Sequence, residues 1–430
     1  MRRKSHKISI DSMNQLNQNR LLEIKRNMKQ KDTMKFSGKN IEDVQAKNRS
    51  VILQLLRLRG TTSRKELAEL TGLNPSTVTY IMKDLLEQGW VREIRPYTNY
   101  KTIGVQLNPD SHYVIGIQLA RRHIICGLFN LEGKVLASER IEMTAPTQVD
   151  AVIAIMKDLI RKLMDNREIR ERVRAIGIAA PGPINLRKGS ITFISHFLGW
   201  RDIPIKEILE NEFKIETIVE HDAHAAALAE KWLGIGQEAQ NLIYVSAGRE
   251  GVGAGLIFNQ EIYHGSLGIA GEFGHTSIDL NGPPCECGNI GCLELYCTGE
   301  VLARKIQGAI DGGAQSSYFT KESSFLFKDV VAAVKSGDPL TIGLVREMGR
   351  YLGAAIVNLI NTLNPDMVIL GDRLTEFGSI WLEIIRSAVY PRLLPEIANH
   401  VKIELTSFEG DAFLIGTGAI AIEHILNKPW

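Results

Sequence analysis

Four side chains able to ligate a soft or borderline cation fall close together: His275, Cys285, Cys287 and Cys292. They belong to the pattern G-H-x9-C-x-C-x4-C-L-E, running from Gly274 to Glu294. One imidazole and three thiolates make a closed tetrahedral zinc set, with no position left for a catalytic water. A metal held in this way fixes the shape of a loop and does no chemistry itself. The glycines of Cys287–Cys292 mark a tight exposed turn, which argues against cysteines packed in a core. A solitary structural knuckle is the plainer alternative. Two carboxylates, Glu272 and Glu294, stand at the ends of the metal-ordered span.

The chain that positions this loop has 430 residues, enough for two or three domains. Its apolar and charged fractions are those of a globular protein. Of five cysteines, Cys126 and Cys297 lie outside the metal pattern. This is no secreted disulfide framework and points to a reducing cytoplasm. Basic Met1–Ile10 is followed by no apolar core of a signal peptide, and no apolar run is long enough to span a bilayer.

The net charge of +2 conceals a polarity. Met1–Lys101 holds 21 Lys/Arg against 10 Asp/Glu, and the remainder 30 against 39. A basic head on an acidic body suggests that the head meets a polyanion. Residues 1–45 are polar and read as a weakly ordered arm, partly helical around Leu16–Met28. Residues 46–108 carry a different grammar. Val51, Ile52, Leu55, Leu56 and Leu58 recur at helical spacing, and Gly60 ends that helix. Ser63-Arg64-Lys65-Glu66 is a capping box. Asn74-Pro75 then opens a third helix, Ser76–Gln88, after a short Gly-containing turn. Two short helices so joined, with strands Val91–Ile94 and Val105–Leu107 around a polar loop, predict a winged helix-turn-helix. In that arrangement the third helix enters the major groove. Val78, Met82 and Leu85 share its inner face. Ser76, Thr77, Thr79, Tyr80 and Lys83 are left outward to read bases or bond phosphates, with Arg64 and Lys65 beside them. A three-helix interaction module without DNA is the alternative.

From residue 109 the pattern becomes α/β. Strands are expected at Tyr113–Leu119, Ile124–Asn130, Val135–Ile141, Ala175–Ala179, Ile218–Glu220, Leu242–Ser246, Gly253–Phe258 and Met367–Leu370. Helices are expected at Asp150–Asn166, Asp222–Leu233, Thr298–Ala309, Phe327–Lys335, Pro339–Leu363 and Gly416–Leu426. Ala180-Pro181-Gly182-Pro183, Glu220-His221-Asp222-Ala223, Gly271-Glu272-Phe273-Gly274-His275 and Gly291-Cys292-Leu293-Glu294 punctuate them. With the helix-turn-helix, these blocks resemble the ROK family (repressors, open reading frames and kinases), in particular its xylose-repressor-like branch. The resemblance covers nearly everything from Ala46 to Trp430.

What the resemblance implies is an actin/hexokinase-like body of two lobes over 109–430, with sugar in the cleft and zinc in the second lobe. It implies that Asp222, Glu272, His275 and Glu294 contact sugar hydroxyls. His221 stands where the family usually has Asn, and so does His196. His275 is able to ligate zinc through one ring nitrogen and sugar through the other. Asp222 alone also reads as a helix cap, and Glu272 and Glu294 as surface carboxylates.

The family's kinases keep the counterpart of Asp222 as general base. On the nucleotide side this chain departs from them. Gln118-Leu119-Ala120-Arg121-Arg122 replaces Asp-x-Gly-Gly-Thr, Glu250 enters the second phosphate loop, and Gly371-Asp372 replaces Gly-Gly. Repulsion from Glu250 is expected to disfavour phosphate, and Gly251, Gly253 and Gly255 are expected to serve turn and sheet packing. The expected protein is a homodimeric or tetrameric repressor, not an enzyme. It binds operator DNA and an aldose such as xylose, with no membrane partner. A sugar kinase with a fused DNA-binding head, and a repressor that has lost its effector, are the competing readings.

Overall fold

The computed structural model describes residues 41–95, 103–143, 148–194, 199–408 and 412–428. The expected helix near Leu16–Met28, the tip of the wing, and His196 lie outside the described residues. Arg49–Lys428 forms one compact unit; Met1–Asn48 with Pro429–Trp430 forms the other. What is described of the latter is the start of helix α1.

Helix α1 (Ile41–Arg59) begins ten residues before Val51, where the apolar periodicity starts. Gly60 follows it at φ 70°, a conformation that favours glycine. Strand β1 (Thr62–Ser63) leads into helix α2 (Arg64–Thr71) through the capping box, with both reciprocal Ser63–Glu66 bonds made. Helix α3 (Pro75–Glu87) starts at proline, but Asn74 makes no side-chain cap. Strands β2 (Val91–Ile94) and β3 (Gly104–Leu107) pair antiparallel, and β1 joins β3 to complete a three-stranded wing sheet.

The body holds two five-stranded sheets. The first takes β4 (Tyr113–Leu119), β5 (His123–Asn130), β6 (Val135–Glu142), β7 (Val173–Ala180) and β11 (Glu216–His221). Their order is β11-β7-β4-β5-β6, with β4, β7 and β11 parallel. Helices α4 (Val149–Leu163), α5 (Arg167–Arg172) and α6 (Ile205–Phe213) accompany it, and β8 (Ile184–Asn185), β9 (Ser190–Phe193) and β10 (Arg201–Ile203) form a small separate sheet. After helix α7 (Asp222–Leu233), the second large sheet takes β12 (Leu242–Ala247), β13 (Val252–Phe258), β14 (Glu261–Ile262), β15 (Met367–Gly371) and β16 (Lys402–Leu405), ordered β14-β13-β12-β15-β16. Helices α8 (Gly299–Asp311), α9 (Phe327–Ser336), α10 (Pro339–Leu363), α11 (Ser379–Val389) and α12 (Pro395–Ala398) belong to this half, and α13 (Ala412–Asn427) closes the chain.

Helix α7 packs against strands of the second sheet and α13 against strands of the first, while the two helices pack against each other. Helix α7 is alanine-rich and α13 carries both alanine and glycine, for a steric reason. A Cβ on Gly416 would sit 2.0 Å from the Ala225 carbonyl oxygen, so only glycine allows this approach.

The winged helix is not strung on a free linker. Ile52, Leu53 and Leu56 of α1 share one hydrophobic cluster with Ala421, Ile422, Ile425 and Leu426 of α13. Ser50 Oγ and Gln54 Nε2 donate to Asn427 Oδ1 at 3.1 and 2.9 Å. The Arg57 guanidinium lies 3.6 Å from the Trp232 ring centroid, well within cation–π range. At Asn108, the backbone N–H donates to the Trp90 carbonyl and the side chain to that of Gly89. Trp90 stacks on His112 at 3.9 Å. Head and body are therefore packed together across a broad face.

Candidate functional site

The segment Gly271–His275 runs beside β13. Ala254 N–H donates to the Gly271 carbonyl at 2.9 Å, and Gly271 adopts φ 97°. A Cβ there would meet the Ala254 carbonyl oxygen at 2.0 Å, so glycine is what lets the backbone lie this close. Glu272 then opens a 3-10 turn, Phe273–His275. A second 3-10 turn, Leu293–Leu295, carries Glu294, and Leu293 N–H donates to the Thr276 carbonyl to dock the two turns.

Between them the four metal-type donors converge. Single ligand atoms of His275, Cys285, Cys287 and Cys292 lie within 4.8 Å of one another. Cys287 and Cys292 Sγ are 3.6 Å apart, and Cys285 Sγ is 3.8 Å from His275 Nδ1. A tetrahedron built on zinc–ligand bonds of about 2.0–2.3 Å has edges of about 3.5–3.8 Å. The donor set fits such an ion. Glu294 Oε1 stands beside it, 3.2 Å from His275 Nδ1 and 3.3 Å from Cys285 Sγ. His275 and Glu294 are thus in direct contact at the rim of the metal loop.

His221 ends β11 and caps α7; Asp222 is the first helical residue. Asp222 Oδ1 accepts from the Ala223 N–H at 2.6 Å and lies 3.5 Å from His221 Nδ1. A Cβ on Gly253 of β13 would lie 3.7 Å from the His221 ring, and one on Gly274 would strike the Val252 carbonyl oxygen at 2.3 Å. Residues 252–254 are therefore the shared floor on which His221 and the Gly271–His275 segment rest. Of the three glycines in this turn and strand, Gly255 is the one demanded by packing: a Cβ would meet the Ala223 carbonyl oxygen at 2.0 Å. Gly251 and Gly253 have ordinary room for a Cβ, and Gly251 lies in the turn after β12, where its carbonyl accepts from Gly248 N–H at 2.9 Å.

Where the sequence departs from the family's kinases, the chain pairs with itself. The turns after β4 and β12 meet tip to tip. Arg121 donates to the Glu250 carbonyl at 3.1 Å. Arg122 pairs with the Glu250 carboxylate and, at 3.3 Å, with Glu300 at the start of α8. Arg249 faces the same Glu300 oxygen at 3.7 Å. Glu250 is thus paired and not a free anion. Asp372 stands over Gly248. Its Oδ2 accepts from Ser246 Oγ at 3.0 Å, and a Cβ on Gly248 would meet it at 2.3 Å. Burial raises its pKa to about 6 against the opposing bonds from Arg373 N–H and Ser246, and the charge of Asp222 adds to the rise. Its backbone, at φ 67° and ψ −167°, is one that glycine adopts far more readily.

On α3, Val78, Ile81, Met82 and Leu85 are buried, and Ser76, Thr79, Tyr80 and Lys83 are exposed. Thr77, expected outward, is half-buried. Thr79 Oγ1 donates back to the Pro75 carbonyl at 2.8 Å. Lys65 and Lys83 each pair loosely with a glutamate one turn on, at 3.8 Å. Arg64 is held at 3.1 Å by Glu93 of the wing, so it braces α2 against β2.

Residues 114–424 match the ROK family, and residues 47–92 match the winged helix-turn-helix DNA-binding family. The chain belongs to the ROK family. It is 30% identical over 389 residues to the xylose repressor of Caldicellulosiruptor bescii, spanning 89% of this chain and 97% of that protein. Among solved structures it is similar to a ROK family transcriptional regulator that is a homolog of the E. coli MLC protein. The TM-score is 0.80 at 26% identity, over 89% of this chain and 97% of that one. A ROK glucokinase from Streptomyces griseus, solved with glucose and AMPPNP, gives a TM-score of 0.64 at 26% identity. That likeness covers 99% of the glucokinase but 72% of this ROK chain. No helix among the described residues is long and apolar enough to cross a membrane.

Sequence reasoning missed one cluster outright. Glu220, His224 and His264 come together behind Asp222. The i, i+4 spacing of Glu220 and His224 at a strand–helix junction was a usable signal; nothing in the sequence joined His264 to them.

Proposed function

We propose that this chain is a sugar-responsive transcriptional repressor. Its cleft takes an aldose such as xylose, a structural zinc ion on His275, Cys285, Cys287 and Cys292 holds the cleft wall, and α3 reads operator DNA. Ser76, Thr79, Tyr80 and Lys83 offer hydroxyls, a phenol and an ammonium from the exposed face; Thr77, Arg64 and Lys65 border it. Asp222, Glu272 and Glu294 accept from sugar hydroxyls, with His221 and His275 beside them. In a homodimer, two such heads meet the half-sites of a palindrome.

One observation carries the reading: a single helix links the two functions. Helix α7 has Asp222 at its first residue and Trp232 in its last turn, about 18 Å of rigid rod. Trp232 bears Arg57 of the head helix. A sugar that shifts α7 when the cleft closes moves the platform on which the head rests. Sugar then needs only to favour the arrangement that binds DNA poorly, and a coupling of about 1–3 kcal/mol suffices for a 5–150-fold change. Operator affinity by fluorescence anisotropy at fixed salt tests this, with xylose, glucose and N-acetylated hexosamines as the panel. At least one aldose lowers affinity; an unchanged affinity across the panel sinks the proposal. In Trp232→Ala the sugar still binds but its effect on operator affinity shrinks.

The kinase reading keeps one observation in its favour, the retained Asp222. Against it stand the Arg122–Glu250–Glu300 ion pairs and Asp372 in the phosphate cradle, since phosphoryl transfer depends on positioning and neutralising phosphates. Coupled ADP release on the same panel stays at background.

A further inference from the structure

Behind the cleft, Glu220 is buried and holds two imidazoles. Its Oε1 lies 3.1 Å from His224 Nδ1 and its Oε2 2.6 Å from His264 Nε2. The three come from separate pieces of the fold: the end of β11 in the first sheet, the first turn of α7, and the segment following β14 in the second sheet. Single ligand atoms from all three lie within 4.8 Å of one another.

We propose that Glu220, His224 and His264 form a second metal site, for a divalent ion of the zinc class, at the junction of the two sheets. Two imidazoles and one carboxylate are a donor set that borderline divalent cations take, with a coordination position left open.

Two further observations support an ion over a self-sufficient hydrogen-bond network. His224 is fully buried, one ring nitrogen is on Glu220, and its Nε2 has no hydrogen-bond partner among the described residues. A buried imidazole nitrogen left bare is an uncompensated polar group, of the kind that a missing ion accounts for. The second observation is charge. The buried Glu220 carboxylate has Glu261 and Glu423 on the same side, against Arg57. The imidazoles of His224 and His264 have ring centroids 5.4 Å apart, with His221 5.6 Å from His224. A divalent cation answers this excess of negative charge while both rings stay neutral and offer lone pairs. It would pin β11, α7 and the second sheet together two residues from Asp222.

The test is the metal content of the untagged full chain, loaded with Zn2+, desalted and measured by elemental mass spectrometry. The wild type holds two equivalents, His264→Ala one, and Cys287→Ser no more than one. With Co2+ in place of zinc, His264→Ala keeps the near-ultraviolet thiolate charge-transfer band while losing the weaker absorption of a nitrogen–oxygen site. His264 is part-exposed, so the substitution is tolerable; His264→Gln repeats the measurement with a side chain closer in size. A wild type that holds a single equivalent, or a His264→Ala protein that still holds two, overturns the proposal.

Discussion

The two sides of the cleft share one framework and have opposite contents. On one side, His275 and Glu294 touch at the edge of a four-donor metal loop, and the Gly271–His275 segment lies on the same strand floor as His221. Carboxylates stand there as hydrogen-bond acceptors. On the other side, the turns after β4 and β12 are bound to each other by Arg121, Arg122, Glu250 and Glu300, with Asp372 over Gly248. On the first side the contacts stay within one short loop; on the second they tie two distant turns together and set a carboxylate over a glycine.

The largest expected effect comes from taking away the metal loop's closure. Cys287→Ser removes one of four ligands, and the segment that carries Glu272, His275 and Glu294 loses its clamp. Sugar affinity by titration calorimetry falls at least about 100-fold, since positioning errors near 1 Å cost that much at a preorganised site. Sugar-free operator affinity changes little, because α3 lies in the head. Equal loss of both would show that the loop supports the whole fold and not the sugar side alone.

Asp222→Asn follows. It preserves shape and removes a charge, and charged hydrogen bonds are worth about 1.5–3 kcal/mol. Sugar affinity drops by about 10–100-fold, with the operator complex unchanged in the absence of sugar. An affinity left intact would return Asp222 to the role of helix-start residue.

Much of this division was legible in the residues. Asp222–Leu233 and Pro339–Leu363 fold with the expected bounds because each has sharp local punctuation, an acidic start after a strand and Asp338-Pro339 before a long apolar periodicity. The edge strand Lys402–Leu405 and helix Ser379–Val389 went unread. The first is four residues with charges alternating, and the second mixes β-branched and aromatic residues, so tertiary packing decides both. The metal loop could be read because its ligands are near in sequence. The ion pairs could not: Arg122 and Glu250 are 128 positions apart, and only the meeting of two turns joins them. Sequence spacing therefore gives Glu250 no partner, whereas the fold gives it Arg122.

Asp372 gives the third test, confined to the phosphate side. Its folded pKa of about 6 stands above the ordinary carboxylate value near 3.9. A raised value means that folding favours the protonated form. The contribution is fully present below about pH 4 and is lost as pH rises through about 6. Asp372→Asn, which keeps the side chain and its bond to Ser246, is therefore more stable than the wild type at pH 7.5, by about 1–3 kcal/mol, and no more stable at pH 4. Urea midpoints at the two pH values measure this. A gain at both would assign the effect to backbone strain or packing rather than charge.

The smallest effect belongs to Arg122. Its guanidinium and Glu300 are both 46% exposed, and Glu250 is 19% exposed, so water screens most of the attraction. Exposed pairs of this kind contribute about 0–1 kcal/mol each. Arg122→Ala should change sugar affinity by no more than a few-fold, and ATP should still fail to bind, because Asp372 remains in the cradle. The two turns are then held apart from phosphate by what fills the space, not by the strength of the pairs. Measurable ATP binding in Arg122→Ala would reverse that ranking and make the arginine the barrier.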